Sequence, residues 1–224
     1  SYMVRANKVA DSVKLQKRVD AIAEGAALMT ETSFERVFID GTSELLPNFT
    51  LEKLMYDNFE KIGVVQHNDE ERAFAAELRK TFPPQSAAPG IGAHFNADIA
   101  ETVMEKTHDL TEPLNDFLMP YYSGTGFTAG STDVGDVSWL TPTAQIETAT
   151  WPSGMPLHTW QTVACGKSSI AYKGMLCAGK VMAASAIDLI EDPELLKAAR
   201  EEFKRRAKGG YTCPIEPEAV PTAL

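Results

Sequence analysis

Residues 167–190 put the strongest limit on what this chain can fold into. The stretch reads as one helix with Ala, Met, Leu or Val on nearly every face. A helix that is apolar all round must be buried, so this one is expected inside an α/β layer. The next helix follows at once. Asp192 can cap it, Pro193 suits its first position and Glu194 places an acid in its first turn. Lys204, Arg205, Arg206 and Lys208 close it with the favourable sign for the helix dipole, and Gly209-Gly210 ends it.

The remainder reads in order. Residues 2–5 have the composition of a strand end. Residues 8–29 repeat Val9, Val13, Leu15, Val19, Ile22, Ala23, Ala26 and Ala27 at helical spacing. Residues 34–39 alternate loosely and predict a strand, and Asp40-Gly41 turns the chain. Strand, helix and strand are too little to close a sheet layer, so the first 45 residues need partners from elsewhere. After Pro47-Asn48, Thr50 is placed to cap a helix over 51–62 with Leu51, Leu54, Met55 and Phe59 inward. Asn68 and Glu71 form a capping-box pattern for a helix to about residue 81, which Pro83-Pro84 stops. Residues 83–93 read as a loop, 97–107 as a helix and 112–129 as irregular. Gly90-Ile91-Gly92 lacks the strand and third glycine of a dinucleotide fingerprint. The tail from Cys213 carries three prolines and is expected to lie extended.

Composition removes some functions. The net charge of -10 argues against nucleic acid, whose phosphates demand a basic surface. No apolar run approaches the roughly 20 residues that span a bilayer. The N-terminus, Ser1-Tyr2-Met3-Val4-Arg5, lacks the regions of a signal peptide, so a cytoplasmic location is expected. Asn48-Phe49-Thr50 then fits a glycosylation sequon by chance. Cys165, Cys177 and Cys213 have no metal-type spacing and read as free thiols.

Candidate chemistry gathers between residues 129 and 160. Ala129-Gly130-Ser131-Thr132-Asp133-Val134-Gly135-Asp136 is a turn-forming run with two carboxylates. An alternating run over 144–151 and a Pro/Gly loop over 152–156 then lead to His158. His158 could ligate zinc or manganese, or be a hydrogen-bonded structural histidine. His94 and His108 lie in weaker surroundings, and His67 reads as a solvated residue at a helix start. Asp133 and Asp136 could bind metal, orient a histidine or cap a turn. Ser131 with His158 suggests a triad, but Ala129-Gly130-Ser131-Thr132-Asp133 is not the nucleophile-elbow pattern. Nothing visible would lower the pKa of Cys165.

A resemblance adds a reaction. The runs 130–139 (Gly-Ser-Thr-Asp-Val-Gly-Asp-Val-Ser-Trp), 154–161 (Gly-Met-Pro-Leu-His-Thr-Trp-Gln), 166–171 (Gly-Lys-Ser-Ser-Ile-Ala) and 173–175 (Lys-Gly-Met) carry it. Upstream, 23–30, 38–41 and 45–48 extend it over nearly the whole chain. The chain resembles the aminobenzoyl-glutamate branch of the dinuclear-metal amidohydrolases, the family that includes carboxypeptidase G. The resemblance implies residues 1–45 as the second half of a lid, or dimerisation, domain. It implies residues 46–224 as the C-terminal half of a three-layer α/β catalytic domain. The implied activity is metal-assisted cleavage of the amide of an N-acyl amino acid, using two divalent ions, manganese or zinc. The family's last metal-binding histidine falls on His158. Gly130, Ser131, Thr132 and Asp133 fall on a turn beside the metal site and would bind substrate. The other ligands and the general base precede the lid in this family and have no counterpart here, so the chain alone is expected to be inactive. A homodimer through the lid, or a complex with a paralogous subunit, is the implied assembly. The competing reading is a non-catalytic assembly module that keeps the family shape.

Overall fold

The computed structural model describes residues 2–83, 97–106, 111–124 and 130–220. Most of the loop expected over 83–93, with Gly90-Ile91-Gly92, and both His94 and His108 lie outside the described residues. The described part is mostly helical: α1 (Val9–Met29), α2 (Phe49–Ile62), α3 (Asp69–Arg79), α4 (Ala97–Lys106), α5 (Val134–Ser138), α6 (Trp160–Cys165), α7 (Ser169–Glu191) and α8 (Pro193–Arg206). Among the described residues no strand is present. None of the helices there is long and apolar enough to cross a membrane.

The missing strands correct the expectation for 2–5 and 34–39, and leave the expected α/β class without its sheet. Alternation makes a segment able to pair, but a strand exists only when a neighbour takes its N–H and C=O groups. Residues 144–151 lie against a helix instead: Thr148 Oγ1 donates to the Gly174 carbonyl of α7 at 2.9 Å.

The chain divides into two compact units. The first draws on Ser1–Pro47, Ala129–Thr143 and Arg200–Leu224. Within it, Arg36 donates to Glu216 at 2.6 Å and pairs with Asp20 of α1 at 3.7 Å. The tail also passes so close to Gly41 that a Cβ there would sit 3.1 Å from the Pro214 carbonyl oxygen. A 3-10 turn over Ala207–Gly209 and Gly210 at φ 72° end the α8 region where the paired glycines place the stop.

The second unit comprises Asn48–Thr128 and Ala144–Ala199. Its α2 begins two residues before the expected start. Asn48, rather than Thr50, caps it: its Oδ1 accepts from Leu51 N at 3.1 Å while its Nδ2 donates to the Ala199 carbonyl at 2.9 Å. A side-chain amide carries a donor and an acceptor on separate atoms, so Asn48 meets both partners from one buried position. Asn48 is 2% exposed, so its amide is not free for glycosylation. The capping box of α3 forms as read, with Asn68 and Glu71 exchanging bonds at 2.9 Å. The core lies where Ala75, Leu78 and Phe82 meet Leu114, Met155, Cys165 and Ile170.

Only one face of α7 is covered. Ile170, Gly174, Cys177, Val181 and Ser185 are buried, and Asn58 of α2 donates to Ser185 at 3.3 Å and Asp188 at 2.7 Å. The other face is open, which corrects the expectation of a helix buried all round. No β-layer is present among the described residues to cover it.

Two glycines of α7 should respond oppositely to alanine. A Cβ at Gly174 would lie 2.4 Å from the Ala149 carbonyl oxygen, whereas one at Gly179 meets nothing within 4 Å. Gly179→Ala is expected to stabilise by about 0.5–1 kcal/mol through helix propensity. Gly174→Ala gains the same propensity, but the overpacking, about 1–3 kcal/mol, outweighs it. Urea midpoints of the two variants check the opposite signs.

Candidate functional site

In the first unit, Asp136 of α5 is a clamp. Its carboxylate accepts from Ser43 N at 3.2 Å, Ser43 Oγ at 2.7 Å and Tyr211 OH at 3.0 Å. The Tyr211 phenol is pushed well above its ordinary value by hydrogen bonding with Cys213, then by burial and by the Asp136 carboxylate. Ser138, fully buried, donates to the Gly135 carbonyl at 2.5 Å and accepts from Leu46 N at 2.8 Å. Trp139 Nε1 donates to the Glu44 carbonyl at 2.9 Å. Glu44 in turn takes the Val9 amide at the start of α1 at 2.9 Å, a favourable place for a carboxylate. Gly135 is obligatory here, because a Cβ would fall 2.1 Å from the Ser43 carbonyl oxygen. The geometry gives Asp136 a role that the sequence did not suggest, the anchoring of residues 43–46 and of Tyr211.

The turn before α5 is exposed at Gly130, Ser131, Thr132 and Asp133. Ser131 Oγ accepts from Arg5 at 2.8 Å. Asp133 takes the N-cap position without a capping bond from its side chain, while Thr132 Oγ1 accepts from Val134 N at 3.3 Å. The result is a polar, open turn on a firmly held base.

In the second unit, the loop that carries His158 is fastened from both sides. Ser153 N donates to the Pro113 carbonyl at 2.9 Å, and Ser153 Oγ to Asn115 at 2.8 Å. Thr159 and Thr162 donate to the Pro156 carbonyl at 2.9 and 3.2 Å, and Gln161 donates to Thr81 Oγ1 at 3.2 Å. His158 itself is exposed and has φ 59°, a left-handed conformation that histidine tolerates better than most residues. Leu157 and Trp160 beside it are also exposed.

A two-metal centre does not fit the residues at hand. Among the described residues no group of three His, Cys, Asp or Glu could hold an ion. A catalytic zinc normally keeps three protein ligands, and His158 offers one.

A second polar cluster in this unit is one the sequence signalled only through the capping box. Glu71, buried, accepts from Ser169 Oγ at 2.6 Å and Lys173 Nζ at 2.7 Å besides the Asn68 amide. Burial alone would raise its pKa, but the bonds from Lys173, Ser169 and Asn68 outweigh that and hold it at about 2. His67, expected to be solvated, is buried. Both its ring nitrogens lack a hydrogen-bond partner, and Nδ1 lies 3.6 Å from Glu71 Oε2. Burial pushes the imidazole below its ordinary value, against the pull of Glu71. Arg72 and Arg79 of α3 fasten the 111–116 segment, Arg72 through Asp116 and Arg79 through the Thr111 and Glu112 carbonyls at 3.0 and 2.7 Å.

The cysteines are free thiols, two buried and Cys213 exposed. Burial raises the Cys165 thiol, partly offset by Ser168, which is the opposite of what a nucleophile needs.

The chain is 39% identical over its whole length to a subunit of the p-aminobenzoyl-glutamate hydrolase of Escherichia coli (strain K12). It spans 47% of that protein's length, about half, as a C-terminal portion. No protein-family model matches the chain. No solved structure matches it either.

Two outcomes follow from these geometries. Asp136→Ala strands the three donors that meet on one carboxylate and is expected to cost about 2–3 kcal/mol, hydrogen bonds to charged groups being the stronger kind. Denaturation curves measure the loss, and proteolysis near residues 40–46 should accelerate with it. Acid should act on the second unit in two stages. His67 is held neutral, so its contribution fades as pH falls below the unfolded histidine value near 6.5. Glu71 contributes fully above 4.5, and that contribution fades between 4.5 and about 2. Stability measured against pH should lose the upper stage in His67→Phe and the lower in Glu71→Gln.

Proposed function

We propose that this chain is part of a metal-dependent amidohydrolase that cleaves the amide bond of an N-acyl amino acid of the aminobenzoyl-glutamate type. The observation that carries the reading is the 39% identity along the entire chain to the p-aminobenzoyl-glutamate hydrolase subunit. In this reading the α/β class and the division into a lid half at 1–45 and a catalytic half at 46–224 hold for the longer protein. The reaction takes place in the cytoplasm.

His158 is the residue of this chain that would ligate an ion, manganese or zinc. Its supports are the exposure of the imidazole and the fastening of the loop on both sides. The remaining ligands and the general base would come from polypeptide outside this chain. Gly130, Ser131, Thr132 and Asp133 would offer backbone amides and hydroxyls to the substrate, from the base that Asp136 fixes. Among the described residues no ligand group gathers that could retain an ion at a catalytic centre, and in this reading the chain is inactive by itself. The relative is named a subunit, which favours assembly with a second chain, either a copy or a paralogue.

A non-catalytic assembly module is the second reading. Two observations favour it: α1 has no buried residue, and large apolar side chains such as Ile22, Leu28 and Met29 stand exposed on it.

Hydrolysis of aminobenzoyl-glutamate, with manganese or zinc supplied and then removed by chelator, separates the two. The chain alone should show no turnover. A form extended with the remaining part of the hydrolase polypeptide should show turnover that chelator abolishes. His158→Asn keeps the left-handed backbone accessible and is expected to lower that turnover by about 100-fold or more, since even supports of a metal ligand matter 10–100-fold. Metal-independent turnover, or no turnover of any N-acyl amino acid by the extended form with metal bound, would rule out the hydrolase reading for this substrate class.

A further inference from the structure

We propose that His67 is a proton-driven latch: on taking a proton it claims the Glu71 carboxylate, displaces Lys173 to solvent and so frees residues 63–66 from α7. The inference goes beyond the proposed function and does not depend on it. It starts from three side chains of the second unit. The His67 side chain is fully buried, and neither ring nitrogen has a hydrogen-bond partner. Buried polar atoms are nearly always paired, so an imidazole orphaned at both nitrogens needs an explanation. Its Nδ1 stands 3.6 Å from Glu71 Oε2, just beyond hydrogen-bond range. Lys173 Nζ donates to that same oxygen at 2.7 Å. One carboxylate oxygen thus has two basic groups beside it, and only the lysine holds it while the imidazole is neutral.

A proton on His67 reverses that choice. The Lys173 side chain is 39% exposed on a flexible stem and can turn to water, whereas the imidazole is enclosed. A buried charge must be paired, and a half-exposed ammonium need not be. The proton comes from solvent and stays on the ring. Lys173 keeps its own proton and swings outward, so one cation still faces one anion. Burial holds the imidazole below its ordinary value; Lys173 from α7 and Arg72 from α3 act in the same direction, and Glu71 from α3 acts against them. The exchange therefore falls below about 6.5. Glu71 stays ionised down to about 2 and is there to receive the imidazolium. Ser169 keeps its bond to the other carboxylate oxygen, so α3 and α7 stay joined.

The consequence reaches residues 63–66 through Lys173. Its Nζ also donates to the carbonyl of Gln66, the residue before His67, at 3.2 Å. Cys177 Sγ donates to the Gly63 carbonyl at 3.7 Å at the other end of the segment. When the lysine leaves, a thiol bond remains, and a thiol is a weak donor. Cys177, buried at this contact, then becomes reachable.

The test labels the thiols of the intact chain with a disulfide reagent that works in acid, using the exposed Cys213 as the internal reference. The ratio of Cys177 to Cys213 labelling should rise about tenfold or more as pH falls from about 7.5 to about 4, the scale of losing one hydrogen bond to a charged group. His67→Phe should label slowly throughout, and Lys173→Met quickly throughout. In the unsubstituted chain, the midpoint of the rise should match the titration of the His67 ring followed by NMR. That comparison needs no substitution and decides the matter if a variant misfolds. A flat ratio, a rise that persists in His67→Phe, slow labelling of Lys173→Met at neutral pH, or a His67 titration with a different midpoint would each overturn the proposal.

Discussion

The carboxylate of Glu71 ties the second unit together at the junction of two helices. It caps its own helix through Asn68 and ties that helix to α7 through Ser169 and Lys173. An ionised acid this deeply buried survives only because its lone pairs are met from three directions; an unpaired charge there would cost several kcal/mol. The apolar core formed by Leu78, Phe82, Leu114, Met155, Cys165 and Ile170 depends on α3, α6 and α7 keeping their mutual positions. The loop bearing His158 rests on that core through Met155.

The first unit uses the same device with a different acid. Asp136 gathers Ser43 and Tyr211, and Glu44 reaches on to the start of α1. In both units a carboxylate without a visible catalytic role fixes the frame, while the polar groups suited to a ligand stand outside it. Ser131, Thr132 and Asp133 are exposed above one frame, and His158 above the other. Within each unit the rigid frame and the exposed polar groups are therefore distinct.

Local signals were the legible ones. Helix starts at Asn68 and Asp192, the glycine stop at 209–210 and the course of α1 and α7 follow from capping and spacing within a few residues. The roles of Asp136 and His67 were not legible: the partners of Asp136 lie far along the chain, and His67 is buried without a hydrogen bond to either ring nitrogen. Asp136 meets Ser43 and Tyr211 across 93 and 75 positions, which no local pattern encodes. Strand-like alternation in 34–39 misled for a related reason: it records competence to pair, and pairing needs a neighbour. Only the resemblance suggested a reaction, because a lone histidine and a polar turn fit many chemistries.

The make-up of the first unit has a kinetic side. It is assembled from three stretches separated by long runs of the second unit. Gly135 and Ser43 must close to within side-chain-excluding range over some ninety positions before the clamp yields any stabilisation. Loop-closure entropy makes such contacts slow when the intervening chain is loose. Forming α2, α3 and α4 first shortens the effective loop. Loop-closure entropy therefore favours an order in which the second unit forms before Tyr211 meets Asp136.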